Sequence, residues 1–160
     1  MRPSPGTHGL LEAPGIVSGL SLFADSTKQE RRAARPLGSH VAVPRGRTLC
    51  DEGDVGREFF VILDGRVRVT VGGAPVALLG PGDSFGEIAL LSTRGRRLAT
   101  VTTASAAHVV VYNRAEFNSL LRACPAVARH LARDATTRAV AAGEALRYRP
   151  VAVPRAVGFG

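Results

Sequence analysis

The chain has 160 residues, of which 45% are hydrophobic, and its mean hydropathy is +0.09. These values suit one domain with a buried core and exclude wholesale disorder, and no apolar run approaches the ~18 residues that a membrane helix needs. The net charge of +8 rests on scattered arginines. Nucleic-acid binding is favoured by a basic stripe with interleaved aromatic residues, and the sequence shows no such pattern. Contact with DNA is therefore not expected.

The two cysteines, Cys50 and Cys124, lie far apart and belong to no metal-binding or redox motif. Unpaired thiols favour a reducing compartment, so we expect a cytoplasmic protein in which both side chains are packed in the interior. The histidines are scattered as well, and no Gly-x-Ser-x-Gly, HExxH or paired-carboxylate spacing occurs. We therefore expect neither a metal site nor catalytic residues.

In chain order, residues 1–15 are rich in proline and glycine and have little periodicity, so we expect this segment to be disordered. Apolar residues begin at Ile16, and the polar run that follows them predicts two short helices. Asp25 or Ser26 is the expected N-cap of the second helix, and Pro36 is expected to end it.

From residue 40 onward the pattern is that of short strands separated by turns. Residues 58–63 and 66–71 make the clearest predicted hairpin, with Asp64-Gly65 as its two-residue turn. The other predicted strands cover residues 41–43, 47–49, 75–79, 97–101 and 107–112. Short strands with glycine turns at regular spacing indicate a barrel, a sandwich or a roll.

The C-terminal part has a helical pattern. Asn113 and Glu116 have the spacing of a capping box, and Pro125 suits the first turn of a further helix. Apolar residues recur every three or four positions along that helix, which we expect over 124–148, with a flexible tail over 149–160. This stripe suits packing either on the same domain or on a second copy of the chain, and the pattern alone leaves both open.

The segment from Gly82 to Val101, GDSFGEIALLSTRGRRLATV, indicates a site for a small anion. Gly86 permits close backbone approach and a positive φ, and the N–H groups of the turn after it attract a phosphate. Arg97 supplies a planar fork of donors for the same phosphate. Glu87 would repel a phosphate, so its presence indicates a ligand that also carries a hydroxyl donor, as a ribose does.

The runs Phe85-Gly86-Glu87-Ile88-Ala89-Leu90 and Arg97-Leu98-Ala99-Thr100-Val101 resemble the phosphate-binding cassette of the cyclic-nucleotide-binding domain family, which includes catabolite activators and protein kinase regulatory subunits. The resemblance covers residues 16–147 and implies a mainly β fold, an eight-stranded β-roll with flanking helices. It also implies that the glutamate holds the ribose 2′-hydroxyl, while the arginine and the helix N–H groups hold the cyclic phosphate.

The resemblance assigns residues 16–123 to the cyclic-nucleotide-binding roll and its flanking helices. The ligand-binding residues that we expect are Val76, Gly86, Glu87, Ile88, Ala89, Arg97, Leu98 and Ala99. Within this set, Val76 is expected to touch the base. Leu98 lacks the hydroxyl of the threonine that often marks a cGMP preference in the family, so we expect cAMP as the ligand, with cGMP as the second candidate.

In the resembling family the last helix caps the nucleotide, and in the bacterial activators it forms the dimer. This implies an effector protein or a second subunit as partner, with a homodimer through helix 124–148 as one form. Ala142 and Gly143 align with a threonine-serine pair that reads adenine in those activators. Arg138 aligns with a helix arginine that helps hold the phosphate or the dimer, and an exposed helix charge is the alternative for it.

The function that follows is a non-catalytic cyclic-nucleotide sensor or regulatory module. Two alternatives stay open. One is a transcription regulator of the catabolite-activator type that lacks its own helix-turn-helix, because only residues 147–160 follow the last helix. The other is a nucleotide-free β-roll used for protein interaction.

Overall fold

The computed structural model describes residues 20–93 and 95–147, so the predicted disordered segment 1–15 and flexible tail 149–160 lie outside the described residues. A 3-10 turn, Ser21–Phe23, and helix α1, Lys28–Ala34, come first. The strands are β1 (Ser39–Val43), β2 (Thr48–Cys50), β3 (Glu58–Asp64), β4 (Val67–Val71), β5 (Ala74–Leu79), β6 (Ser84–Phe85), β7 (Thr100–Thr103) and β8 (Ala107–Asn113). The remaining helices are α2 (Glu87–Leu91), α3 (Arg114–Ala123) and α4 (Pro125–Arg147).

The strands form two four-stranded sheets, in the orders β1-β8-β3-β6 and β2-β7-β4-β5, and every neighbouring pair is antiparallel. Successive side chains of a strand point to opposite sides of its sheet. In β3 four successive residues, 59–62, are buried, so this strand is covered on both faces. Phe60 and Ile62 pack in the core between the sheets, whereas Phe59 and Val61 pack with the helices. The predicted mainly β roll with flanking helices is thereby confirmed.

The predicted hairpin over 58–71 is wrong, because β3 and β4 belong to different sheets. Asp64-Gly65 forms a corner between them. Gly65 has φ +88°, and a Cβ there would lie 2.3 Å from the carbonyl oxygen of Ala106. The hairpin of this region joins β4 to β5 through Gly72-Gly73, whose φ values of +59° and +83° match the twist that two-residue turns need. A short turn motif does not distinguish a hairpin from a corner, since the difference lies in which distant strands pair.

The N-cap of α1 is Thr27, and the prediction of Asp25 or Ser26 is wrong. Thr27 Oγ1 accepts a hydrogen bond from the backbone N–H of Glu30 at 3.1 Å, and the Glu30 carboxylate accepts one from the Thr27 N–H at 2.9 Å. Such a reciprocal pair satisfies two backbone donors at once, which favours this residue over its neighbours. The capping box predicted at Asn113 and Glu116 is confirmed, with distances of 2.8 and 3.1 Å.

Helix α4 begins at Pro125, as expected from the sequence. Its first two turns pack on the domain itself, since Val127 and Leu131 are fully buried in the cluster that also contains Leu120 of α3. Farther along, Val140 is 57% exposed. The first part of the apolar stripe therefore packs within one chain, and a homodimer through the later part stays a prediction. In the part of the chain that the structure describes, no helix is both long and apolar enough to cross a membrane.

Candidate ligand-binding site

Helix α2 starts at a glycine that lies in contact with two other segments. Gly86 is its N-cap, with φ +94° and ψ −4°. A Cβ at this position would lie 2.7 Å from Nη1 of Arg97 and 2.8 Å from the carbonyl oxygen of Glu58. Only glycine combines this backbone conformation with so close an approach. The first turn of α2 is therefore held directly against Arg97.

Arg97 is buried, with 7% of its surface exposed. Its Nη1 donates a hydrogen bond to the carbonyl of Gly86 at 3.1 Å, and its Nη2 donates one to the carbonyl of Glu58 at 2.9 Å. The centroid of the Phe60 ring lies 5.9 Å from the guanidinium carbon of Arg97. The strand predicted over 97–101 starts only at Thr100, so Arg97 lies in the connection that precedes β7. Its backbone N–H donates a hydrogen bond to the carbonyl of Asp54 at 2.8 Å.

Gly56 supports the same arginine and is a residue that sequence reasoning missed. A Cβ at this position would lie 2.4 Å from the Cβ of Ala89 and 2.8 Å from Nε of Arg97. The bare backbone of Gly56 thus fills the space behind the guanidinium. A glycine in a loop carries no signal of such a contact, because its partners are more than thirty residues away along the chain.

Glu87, the first residue of α2, is fully buried. Its Oε1 accepts a hydrogen bond from Nη1 of Arg138 on α4 at 2.6 Å. Its Oε2 is also buried, and within residues 20–93 and 95–147 it has no hydrogen-bond partner. Burial raises the pKa of the Glu87 carboxyl above its ordinary value, and the charge of Arg138 opposes this rise. The alternative that Arg138 is an exposed helix charge is wrong, because its side chain is 32% exposed and paired.

These groups surround one open cavity of about 180 Å³. All the residues expected at the ligand site line it: Val76, Gly86, Glu87, Ile88, Ala89, Arg97, Leu98 and Ala99. The other lining residues are Cys50, Val69, Val71, Ala77, Leu79, Phe85, Val101, Arg138, Ala141 and Ala142. Gly143, which aligns with one of the adenine-reading residues, is exposed and is not part of the lining.

Sequence reasoning missed most of the second group because aliphatic strand residues look the same whether they line a cavity or fill a core. The alternation along β4 would have placed Val69 and Val71 on one face, but not against a cavity. Cys50 and Cys124 are buried free thiols, as expected. Burial raises the pKa of the Cys50 thiol to about 11, so this cavity wall is uncharged at neutral pH.

Residues 40–124 match the cyclic nucleotide-binding domain family. The chain is 31% identical over 121 residues to the cyclic AMP receptor protein of Thermus thermophilus, covering 72% of this chain and 56% of that protein. It is 34% identical over 113 residues to a cAMP-dependent protein kinase regulatory subunit of Dictyostelium discoideum, covering 66% of this chain and 34% of that protein.

The crystal structure of the catabolite activator protein of Thermus thermophilus superimposes with a TM-score of 0.67 at 30% identity, covering 79% of this chain and 61% of that one. The chain thus spans only part of the length of each of these relatives. The family match extends over more than half of the chain and includes the whole cassette from Gly82 to Val101. The chain belongs to the cyclic nucleotide-binding domain family.

Proposed function

We propose that this chain is a non-catalytic sensor domain for a 3′,5′-cyclic nucleotide, with cAMP as its ligand. The observation that carries the proposal is a cavity lined by a buried glutamate, the first residue of α2, and by a buried arginine that bonds to the N-cap of the same helix. The names of the two curated relatives, a cyclic AMP receptor protein and a cAMP-dependent kinase regulatory subunit, favour cAMP over cGMP. Both cysteines are free thiols, which supports a cytoplasmic setting.

In this proposal Glu87 accepts a hydrogen bond from the ribose 2′-hydroxyl. Its Oε2 is buried and lacks a partner among the described residues. A buried carboxylate oxygen without a donor carries a desolvation cost that a ligand hydroxyl would remove. The other oxygen is already bonded to Arg138, so the carboxylate would be held from both sides once the ligand is bound.

The cyclic phosphate lies between Arg97 and the start of α2. A guanidinium has five N–H donors, and the carbonyls of Gly86 and Glu58 take two of those of Arg97. Its Nη2 also lies 3.6 Å from the half-exposed carboxylate of Glu58, and the donors that these contacts leave over would meet the phosphate. The first backbone N–H groups of α2 lack helical partners of their own. Ile88 and Ala89 contribute such N–H groups at the cavity wall.

Ligand binding would be transmitted through α4. The Glu87–Arg138 ion pair joins the proposed sugar site to a helix whose later residues, Ala141 and Ala142, also line the cavity. A ligand shifts a conformational equilibrium only by its difference in affinity for the two states. A cyclic nucleotide that bonds to Glu87 changes the environment of this pair, and the helix then presents a different surface to an effector protein or a second subunit.

Calorimetric titration of the chain with cAMP and cGMP tests the proposal, with 5′-AMP as the matched control because it lacks the cyclic phosphate ester. We expect saturable binding of cAMP and much weaker binding of 5′-AMP. Heat changes indistinguishable from buffer for both cyclic nucleotides would refute the sensor function. The same outcome would support the second candidate, a nucleotide-free interaction domain, which is favoured by the fact that Arg138 already occupies one oxygen of Glu87.

A further inference from the structure

Glu58 contacts the guanidinium of Arg97 with two different groups. Its backbone carbonyl accepts a hydrogen bond from Nη2 of Arg97 at 2.9 Å, and Oε2 of its carboxylate lies 3.6 Å from the same nitrogen. Glu58 is the first residue of β3, and it pairs there with Asn113 of β8. Because this pairing fixes the backbone of Glu58, its carboxylate stays tethered within one side chain's length of the arginine.

The charge of Glu58 acts on the cavity from outside it. Arg97 lines the cavity and Glu58 does not, so the carboxylate reaches a bound anion only across the guanidinium. The thiol of Cys50, in the cavity wall, lies in the same field. Burial is the main reason why the pKa of Cys50 is raised to about 11, whereas the charge of Arg97 lowers this pKa and the charge of Glu58 raises it. An anion held by Arg97 would therefore also be repelled by Glu58.

We infer that Glu58 sets the charge selectivity of the phosphate site. Its carboxylate offsets part of the charge of Arg97, so the site favours the single negative charge of a cyclic phosphodiester over the double charge of a phosphate monoester. This inference rests on the proposed function, in which Arg97 holds the phosphate. Glu58 is thus a selectivity residue that acts through Arg97 and does not touch the ligand.

The monoester against which this selectivity matters is 5′-AMP, which has the same base and ribose as cAMP. A phosphate monoester carries about −1.5 to −2 charges at pH 7, whereas the cyclic diester carries one. Specificity is a difference between two affinities, and a repulsive charge aimed at the wrong ligand is one way to create it. The Glu58 carboxylate repels both nucleotides, but it repels the more highly charged one more strongly.

The size of the effect follows from the exposure of Glu58. Its side chain is 48% exposed, so water screens the carboxylate, and charges of this kind change an equilibrium constant by about two- to fivefold. Removing the charge should therefore raise the affinity for cAMP by about two- to fivefold. Because 5′-AMP carries nearly twice the charge, its affinity should rise by about the square of that factor. The ratio of the dissociation constant for 5′-AMP to that for cAMP should then fall by about two- to fivefold.

Glu58→Gln tests the inference, because it keeps the size of the side chain and removes its charge. Asp25→Asn is the matched control, since Asp25 is an exposed acid ahead of α1 that does not line the cavity, and the net charge changes equally. Calorimetric titration measures the dissociation constant for cAMP, and displacement of bound cAMP measures that for 5′-AMP. We expect the ratio to fall in Glu58→Gln and to stay unchanged in Asp25→Asn. Thermal unfolding without ligand checks that each variant is folded, and Glu58→Ala, which removes the same charge, replaces Glu58→Gln if that variant is not.

An unchanged ratio in the Glu58 variant, or an equal fall in Asp25→Asn, would overturn the inference. It also fails if 5′-AMP displaces cAMP from neither wild type nor the variant, because the cavity would then reject the monoester without help from Glu58. In about 1 M salt, where charges act over only about 3 Å, the difference between wild type and variant should shrink, and an undiminished difference would assign it to shape rather than to charge. If wild type does not bind cAMP at all, the proposed function itself fails, which is a different result from binding with an unchanged ratio.

Discussion

Replacing Arg97 with alanine removes the side chain that joins the proposed phosphate site to the rest of the fold. In the free protein its guanidinium donates to the carbonyls of Gly86 and Glu58, at 3.1 and 2.9 Å. It also lies within 3.6 Å of the Glu58 carboxylate, which is 48% exposed and contributes little because water screens it. Arg97→Ala should therefore lower both the affinity for ligand and the stability of the fold.

The two losses have separate magnitudes. A charged hydrogen bond to the phosphate contributes ~1.5–3 kcal/mol, so the dissociation constant for cAMP should rise about 10- to 150-fold. For stability, two backbone carbonyls lose their donor at a cost of ~1–3 kcal/mol each. Water entering the cavity would replace part of each bond, so we take the lower end, ~2–3 kcal/mol in total. For a domain of this size that lowers Tm by about 10 °C.

Thermal unfolding without ligand measures the stability, and calorimetric titration well below the midpoint of unfolding measures the affinity. Arg68→Ala is the matched control, because Arg68 is an exposed arginine of β4 that does not line the cavity, and its loss changes the net charge equally. The reasoning is refuted if Arg97→Ala binds cAMP within about twofold of wild type. If Arg68→Ala weakens binding as much, overall charge rather than this contact is responsible.

Three further predictions concern groups around the same fold. Because the folded pKa of Glu87 is raised above its ordinary 4.5, this residue favours folding at low pH and the contribution is lost as the pH rises through the folded pKa. The measured quantity is the unfolding free energy of wild type minus that of Glu87→Gln, from urea titrations at several pH values. This difference should fall as the pH is raised above about 4.5, and a difference that rises with pH would contradict the prediction. Gly86→Ala should destabilise the fold more than Gly73→Ala in thermal melts: both positions have positive φ, but a Cβ at Gly73 meets nothing within 4 Å. Equal losses of stability in the two variants would show that the contact between the new Cβ at position 86 and Arg97 is readily relieved. Asn113→Ala should cost ~1 kcal/mol of stability in urea titrations, because the N-cap of α3 is lost. The affinity for cAMP should stay unchanged, since Asn113 does not line the cavity. A change in affinity would argue against a purely local role of Asn113.

Several features of this protein could be predicted from the sequence because their partners are close together in the chain. The cap at Asn113 needs only Glu116, three residues later, and the helix start at Pro125 needs only the ring of that proline. The cassette is similarly compact, since Gly86 and Glu87 adjoin α2 and Arg97 follows ten residues after Glu87. The resemblance of this one segment to a known family led to the correct fold class.

The tertiary structure alone decided the contacts that join distant parts of the chain. Strands β3 and β4 are consecutive yet lie in different sheets, because β3 is buried on both faces and pairs with β6 and β8. Arg138 meets Glu87 across 51 positions of sequence, which turned an apparent surface charge into part of the cavity. Aliphatic residues such as Val69 became a cavity wall only where the sheets and α4 leave space between them. Local sequence specifies which backbone conformations and caps are favourable, whereas the choice of a distant partner depends on the path of the whole backbone and on the packing of the side chains it brings together.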